Sequence, residues 1–291
     1  MIFYVIGNGF DLHYGLKTGY FNFKKHLINN GYKEIVEKAD KLFEEKGEFN
    51  PELINNWSEF ENMLEVFNNI FADELYEEAM NNAEDDDDRA GYWDDPSWNV
   101  GYYNDYIKIL KEQFNSWIKS IDTQITTDDY FQPQKTDCIL TFNYTNTLED
   151  NYDRRYLNII HIHGTKDQEI ILGHNNYQEP ELFNVIEDED SDYRDITTKK
   201  AVNNILQLAT TQYYKNSLNI LQRYKSSFIS IPNYEKVVIM GLSCGQQDEV
   251  YIQEIIKNSS IIDFYFHNDE AKNNLNKYVD IKNVNINYIK W

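Results

Sequence analysis

An α/β fold is what the sequence predicts: a Rossmann-like, mainly parallel sheet with a large all-helical insertion after its first strand. Three observations carry it. Short runs of β-branched and aromatic residues alternate with helical patterns. The last three runs keep that rhythm without a break, as βαβ units do. A long stretch near the start shows helical periodicity alone. With 291 residues, 41% hydrophobic and 15% aromatic, the chain can bury a core of that kind.

The first strand is Ile2–Ile6, an apolar run that stops abruptly at Gly7-Asn8-Gly9. Helices then take over. Asn50-Pro51 is a helix start, a capping side chain followed by proline. Trp57, Phe60, Leu64, Phe67 and Phe71 follow at three- and four-residue steps, and Tyr103, Ile107, Leu110, Phe114, Trp117 and Ile121 repeat the pattern. These are apolar stripes of packed helices. Strands resume at Cys138–Phe142, Leu157–Ile162, Glu169–Leu172, Lys236–Met240, Ile261–Phe266 and Val284–Tyr288, with helices at Gln247–Lys257 and Asp269–Tyr278. Residues 1–19 and 131–291 thus read as a nucleotide-binding core, and 20–130 as the insertion.

Charge narrows the partners. The formal net charge is -22, which disfavours nucleic acid and anionic membrane surfaces. The acidic segments at 84–88 and 187–192 lack the ligand spacing of an EF-hand and read as solvated loops. Cys138 and Cys244 lie in apolar surroundings, as buried free thiols do. The opening residues carry no secretory features, and no apolar window is long enough to span a bilayer, so a cytoplasmic location is expected.

Four polar or glycine-bearing stretches follow strands directly: "GNGFD" (7–11), "TFNYTNTLE" (141–149), "HIHG" (161–164) and "GLSCGQQD" (241–248). In parallel sheets such loops converge at the carboxyl ends of the strands, where ligands bind. Gly7 and Gly9 permit a tight turn, or close approach of backbone amides to a pyrophosphate. The dinucleotide fingerprint is incomplete, because Leu12 stands where its third glycine belongs. Asn143 either satisfies a turn or aims its amide at a ribose or a water. Thr145 or Asn146 would cap the next helix, leaving Glu149 facing solvent.

His161 and His163 would point the same way if both lay in one extended strand, and His174 could join them around a metal. The segments that supply bridging ligands in metallophosphatases are absent, so a metal-dependent phosphoesterase or nuclease is a lesser reading. "GLSCG" fits Gly-x-Ser-x-Gly literally. Its downstream histidine, His267, comes too early for the order of an elbow hydrolase.

Together, "IGNGFDLHYGLKTGYFNF", "WSEFENML", "TFNYTNTLE", "HIHG" with "ILGHN", and "GLSCGQQD" resemble the AbiH family of bacteriophage abortive-infection proteins. Lys17 stands where proline is usual, and "GLSCG" replaces Gly-His-Ser. A more distant similarity is to sirtuins. Gly7, Gly9 and Gly15 match the glycine spacing of the first sirtuin loop, Asn143 its Thr-x-Asn element, His163-Gly164 its His-Gly, and Gly241-x-Ser243 its Gly-x-Ser. The four-cysteine zinc module of sirtuin deacylases is missing, and Asp11 replaces a small hydroxyl residue.

The resemblance implies an NAD+ hydrolase acting in phage defence, with NAD as substrate or ligand and no metal. Asn143 would orient the water or a ribose hydroxyl, and His163 would take a proton or hydrogen bond at the ribose. Asp11 would stabilise positive character or bind ribose. Gly7, Asn8, Gly9, Phe10, Gly15, Thr141, Gly164, Gly241, Ser243 and Asp248 would line the nucleotide. The alternative on the same fold is a non-catalytic protein that senses a nucleotide or binds a partner, with a phage-encoded trigger or host protein as that partner.

Overall fold

The structure, a computed structural model, describes residues 1–45, 60–64, 76–77, 80, 97–127, 130–153, 157–175, 177, 179–188, 191–279 and 284–291. The chain divides into two compact units. One holds Met1–Phe23, Asn115–Ile171 and Asn216–Trp291; the other holds Lys24–Phe114 and Leu172–Lys215.

The first unit carries a six-stranded sheet of β1 (Ile2–Ile6), β2 (Cys138–Thr141), β3 (Asn158–His161), β4 (Lys236–Met240), β5 (Ile261–Phe266) and β6 (Asn285–Lys290). Its order is β3-β2-β1-β4-β5-β6, and every neighbouring pair is parallel. Parallel sheets need cover on both faces, which is why the central strands read as unbroken apolar runs. Alternation then divides each strand. Phe3, Val5, Leu140 and Ile239 join one core cluster, while Tyr4, Ile6, Ile139 and Met240 join another.

Eleven helices are defined among the described residues. They are α1 (Asn8–His13), α2 (Tyr20–Asn29), α3 (Lys33–Glu45), α4 (Phe60–Met63), α5 (Ser97–Ser120), α6 (Thr147–Asn151), α7 (Tyr193–Gln212), α8 (Ser217–Arg223), α9 (Lys225–Ser230), α10 (Glu249–Asn258) and α11 (Asp269–Val279). Ile220, Phe228, Tyr251 and Leu275 bring α8 to α11 onto the larger cluster. Phe10 and Leu148 bring α1 and α6 onto the smaller one. This is a Rossmann-like α/β sheet, with its strand order reversing between β1 and β4.

In the second unit the described regular elements are helices, with one isolated parallel bridge between His174 and Tyr214. Lys215 Nζ meets Glu61 Oε2 at 3.2 Å, both largely buried. Gly173 has φ +144, and a Cβ there would fall 1.9 Å from the Tyr213 carbonyl oxygen, so the position takes glycine on both counts. Of the apolar stripes, Phe60, Leu64, Leu110, Phe114 and Trp117 are buried. Trp57, Phe67, Phe71, the side chains of Tyr103 and Ile107, the Asn50-Pro51 start and segment 84–88 lie outside the described residues.

One expected strand is not formed. Glu169–Leu172 is irregular, although Ile170 and Leu172 are buried as their composition suggests. Beyond Gly164 (φ +81) the chain turns back on itself, and Ile171 N–H donates to the His163 carbonyl at 2.9 Å. The run packs without pairing. β6 extends to Lys290, past the expected Tyr288, because its register with β5 runs to Phe266↔Lys290.

Candidate active site

Two loops cross at the reversal of strand order. A Cβ on Gly7 would lie 2.6 Å from the Gly241 carbonyl oxygen, one on Gly9 2.7 Å from Gly241 Cα, and one on Gly241 (φ +68) 2.1 Å from the Phe10 nitrogen. Gly7 N–H donates to the Met240 carbonyl at 2.9 Å, and Gly9 N–H to the Gly241 carbonyl at 2.8 Å. The close approach these glycines permit is therefore loop against loop. The two amides expected to meet a pyrophosphate are donated within the protein.

The other residues of the first loop are also accounted for. Asn8 Nδ2 donates to the Thr18 carbonyl at 3.1 Å, and the Phe10 ring is fully buried beside Phe131. Gly15 (φ +79) ends α1 in a Schellman turn, its N–H donating to Leu12 while Leu16 N–H reaches Asp11.

Asp11 turns the other way, under the loop that follows β2. Its carboxylate is fully buried, and Oδ2 accepts from Thr145 Oγ1 at 2.5 Å. Thr147 Oγ1 donates in turn to Thr145 Oγ1 at 3.1 Å. Burial pushes the Asp11 carboxyl up to about 6, against the pull of the polar Thr145, Thr147 and Asn143 side chains around it and of the nearby His161. Its Oδ1 has no hydrogen-bond partner in the chain, and neither has Asn143 Oδ1. Asn143 is held by its backbone, since its N–H donates to Thr141 Oγ1 at 3.1 Å.

This explains a missed expectation. Asn146 precedes α6 but makes no side-chain cap. Its amide donates to Asp167 Oδ2 at 2.6 Å, and Thr145 serves Asp11 instead.

His161, the last residue of β3, closes the cluster. Nε2 lies 2.7 Å from Glu149 Oε1 and Nδ1 lies 3.1 Å from the Asn143 carbonyl. Both side chains are 8% exposed, so Glu149 is buried and paired where solvent exposure was expected. A carbonyl only accepts, so Nδ1 carries a proton; a further proton lies between Nε2 and Glu149. Neither ring nitrogen then offers a lone pair to a metal.

His163 does not share that side. β3 ends at His161, and the following turn carries His163 among Phe142 and Tyr251, at ring distances of 5.4 and 5.7 Å. Both aromatics belong to the larger cluster on the opposite face. His174 is buried in the second compact unit. Among the described residues no group of three or more His, Cys, Asp or Glu is placed to hold a metal ion.

Gly164 makes the turn that brings Glu169 beneath it. After β4, Ser243 is exposed and its carbonyl accepts from Asn274 Nδ2 at 3.2 Å. Burial pushes the Cys244 thiol well up. Asp248 precedes α10 but makes no side-chain cap. His267 stacks on Trp291 at 5.3 Å, beside His13 at 3.9 Å from the same indole.

Sequence reasoning missed Thr145, Thr147 and Glu149, and saw His161 only as a metal ligand. The available signal was density: "TFNYTNTLE" places five polar side chains within seven residues after a buried strand.

The sheet and this corner define a doubly wound α/β protein with a buried carboxyl–amide–histidine cluster at the ends of β1, β2 and β3. Comparison with known families then gives a particular placement. Residues 3–266 match the family described as Bacteriophage abortive infection AbiH, and the chain belongs to it. The family carries a role in phage abortive infection. Neither the curated proteins nor the solved structures gave a match. Among the described residues no helix is long and apolar enough to cross a membrane.

Proposed function

We propose that the protein acts in abortive infection by hydrolysing NAD+, breaking the nicotinamide–ribose bond with water. The C–N electron pair leaves on nicotinamide, water forms the new bond to ribose, and one proton is released. Such cleavage passes through an oxocarbenium-like state that a buried carboxylate stabilises. The observation that carries the reading is Asp11: fully buried, held by Thr145, with one oxygen open and its proton affinity raised toward neutrality. A carboxyl titrating near 6 is ionised at pH 7 and matched to accepting the proton of the attacking water. Asn143 beside it orients that water. His161, both of whose ring nitrogens are engaged, positions Asn143 through its backbone carbonyl and takes no proton from the substrate. The sirtuin-like order of the motifs also supports the reading.

The test is release of nicotinamide from NAD+ by the purified chain in EDTA, with extract of phage-infected cells added to supply a trigger. Wild type should release nicotinamide, and Asp11→Asn and Asn143→Ala should each lose about 100-fold or more. NAD+ left intact by folded wild type with the extract present would sink the proposal. Binding of NAD+ without release would favour the nucleotide-sensing alternative.

A further inference from the structure

One segment of the second unit presents an open backbone edge. Residues 179–188 run without helix, turn or bend. Asn203 pins them at one point: the Phe183 N–H donates to its Oδ1 at 2.8 Å, and its Nδ2 donates to the Phe183 carbonyl at 2.9 Å. The Phe183 ring stacks on Tyr76 at 5.1 Å. Among the described residues, no other backbone group of 179–187 is hydrogen-bonded within the chain. In an extended run, successive residues direct their N–H and C=O to opposite edges. Asn203 therefore holds the edge of Phe183, and the groups of Leu182, Asn184 and Ile186 lie along the other.

The side chains follow the same split. Phe183 and Val185 are half-buried, while Leu182 is 44% and Ile186 60% exposed. Leu182 and Ile186, four residues apart, share one face of such a run. An open strand edge beside exposed apolar side chains is what strand addition uses. Charge selects the guest. In "YQEPELFNVIEDEDSDYRD" (177–195) Arg194 is the one basic residue. Lys200 pairs with Glu187, but Glu179 and Glu181 have no cationic partner among the described residues. A second copy would bring the same acidic segment, and a polyanion or an anionic membrane would be repelled. A basic polypeptide is drawn in.

We propose that this segment is a docking strand for a basic polypeptide, which pairs along the edge of residues 182–186 and covers Leu182 and Ile186 with its own apolar side chains. Its lysines or arginines lie against Glu179 and Glu181. The proposal does not depend on the chemistry of the corner.

The experiment is titration of short fluorescein-labelled peptides with the full chain, followed by anisotropy. One peptide alternates lysine with valine and the other lysine with threonine, which match in charge and nearly in shape while only valine is apolar. Wild type should bind the lysine–valine peptide about tenfold more tightly. N-methylation of its alternate backbone nitrogens blocks strand pairing and should cost about tenfold as well. Leu182→Ser combined with Ile186→Ser, both at exposed positions, should bring the two peptides level with an unchanged urea midpoint. Glu181→Lys should weaken both and flatten their salt dependence. Equal affinity of wild type for the two peptides would mean charge attraction alone and overturn the proposal. Failure to bind either peptide, or a serine variant that binds as wild type does, would overturn it too.

Discussion

The crossing of Gly7 and Gly9 with Gly241 and the corner around Asp11 sit at the same end of the same sheet, yet they are built on opposite terms. At the crossing, backbone meets backbone at contact distance, and the Gly7 and Gly9 amides are donated to carbonyls across the gap. In the corner, side chains from three strand ends converge on a carboxylate and leave Asp11 Oδ1, Asn143 Oδ1, Asn146 Oδ1 and Glu149 Oε2 unpaired. A satisfied, close-packed contact holds a fold together. Unpaired buried acceptors cost stability, and they persist where a ligand or a reaction needs them. Glycine-rich sequence therefore marks the satisfied half of this sheet end, and the hydroxyl- and amide-rich sequence marks the half with unpaired polar groups.

Substitutions can break that contrast. Gly241→Ala should have the largest effect. Its Cβ would overlap the Phe10 nitrogen at 2.1 Å from a residue already at φ +68, so neither loop can yield without moving a backbone. A loss of roughly 4 kcal/mol or more in urea unfolding is expected. Near-wild-type stability would show that the crossing is slack.

Glu149→Ala comes next. It strands His161 Nε2 in a buried site and should cost roughly 3 kcal/mol. A double-mutant cycle with His161→Gln should recover much of that cost if the two act as a pair. Strict additivity would show that they do not.

Asp11→Asn sharpens the contrast through pH. The folded state holds the Asp11 proton up to about 6, above the ordinary carboxylate value of 3.8. A raised carboxyl favours folding while protonated, so its contribution is present below about 4, falls as pH rises toward 6 and is level above. Wild type should therefore lose roughly 2 to 3 kcal/mol across that window relative to the variant. Parallel stability profiles would mean that the carboxylate is as well accommodated charged as neutral.

Gly15→Ala should do least. Gly15 shares the positive φ of Gly241, but nothing lies within 4 Å of its added Cβ. About 1 kcal/mol is expected for the left-handed residue alone. A larger loss would mean that the Schellman turn of α1 also steadies Asp11.

The sheet was legible because its strands are buried on both faces. Ile2–Ile6, Lys236–Met240 and Ile261–Phe266 have the bounds their apolar runs suggest. Glu169–Leu172 misled because burial and strand pairing are separate facts, and an apolar run shows only the first. The glycines were legible as a tight feature. Their partner was not, because Gly241 meets Gly7 and Gly9 only when β4 pairs with β1. Asn143 and Asp11 were named from the strand-end loops. Glu149 was read as facing solvent, since its burial depends on a histidine at the end of a neighbouring strand, a relation no local period records.

The place of β1 has a consequence for how the chain is made. β1 is a central strand, and its neighbours β2 and β4 begin at Cys138 and Lys236, more than a hundred residues further on. At ribosomal speeds β1 emerges on the order of ten seconds before either can pair with it. For that time a five-residue apolar strand with both edges open is exposed to other chains in the cell. Synthesis rate and chaperone supply should govern the yield of this protein more than its final stability does.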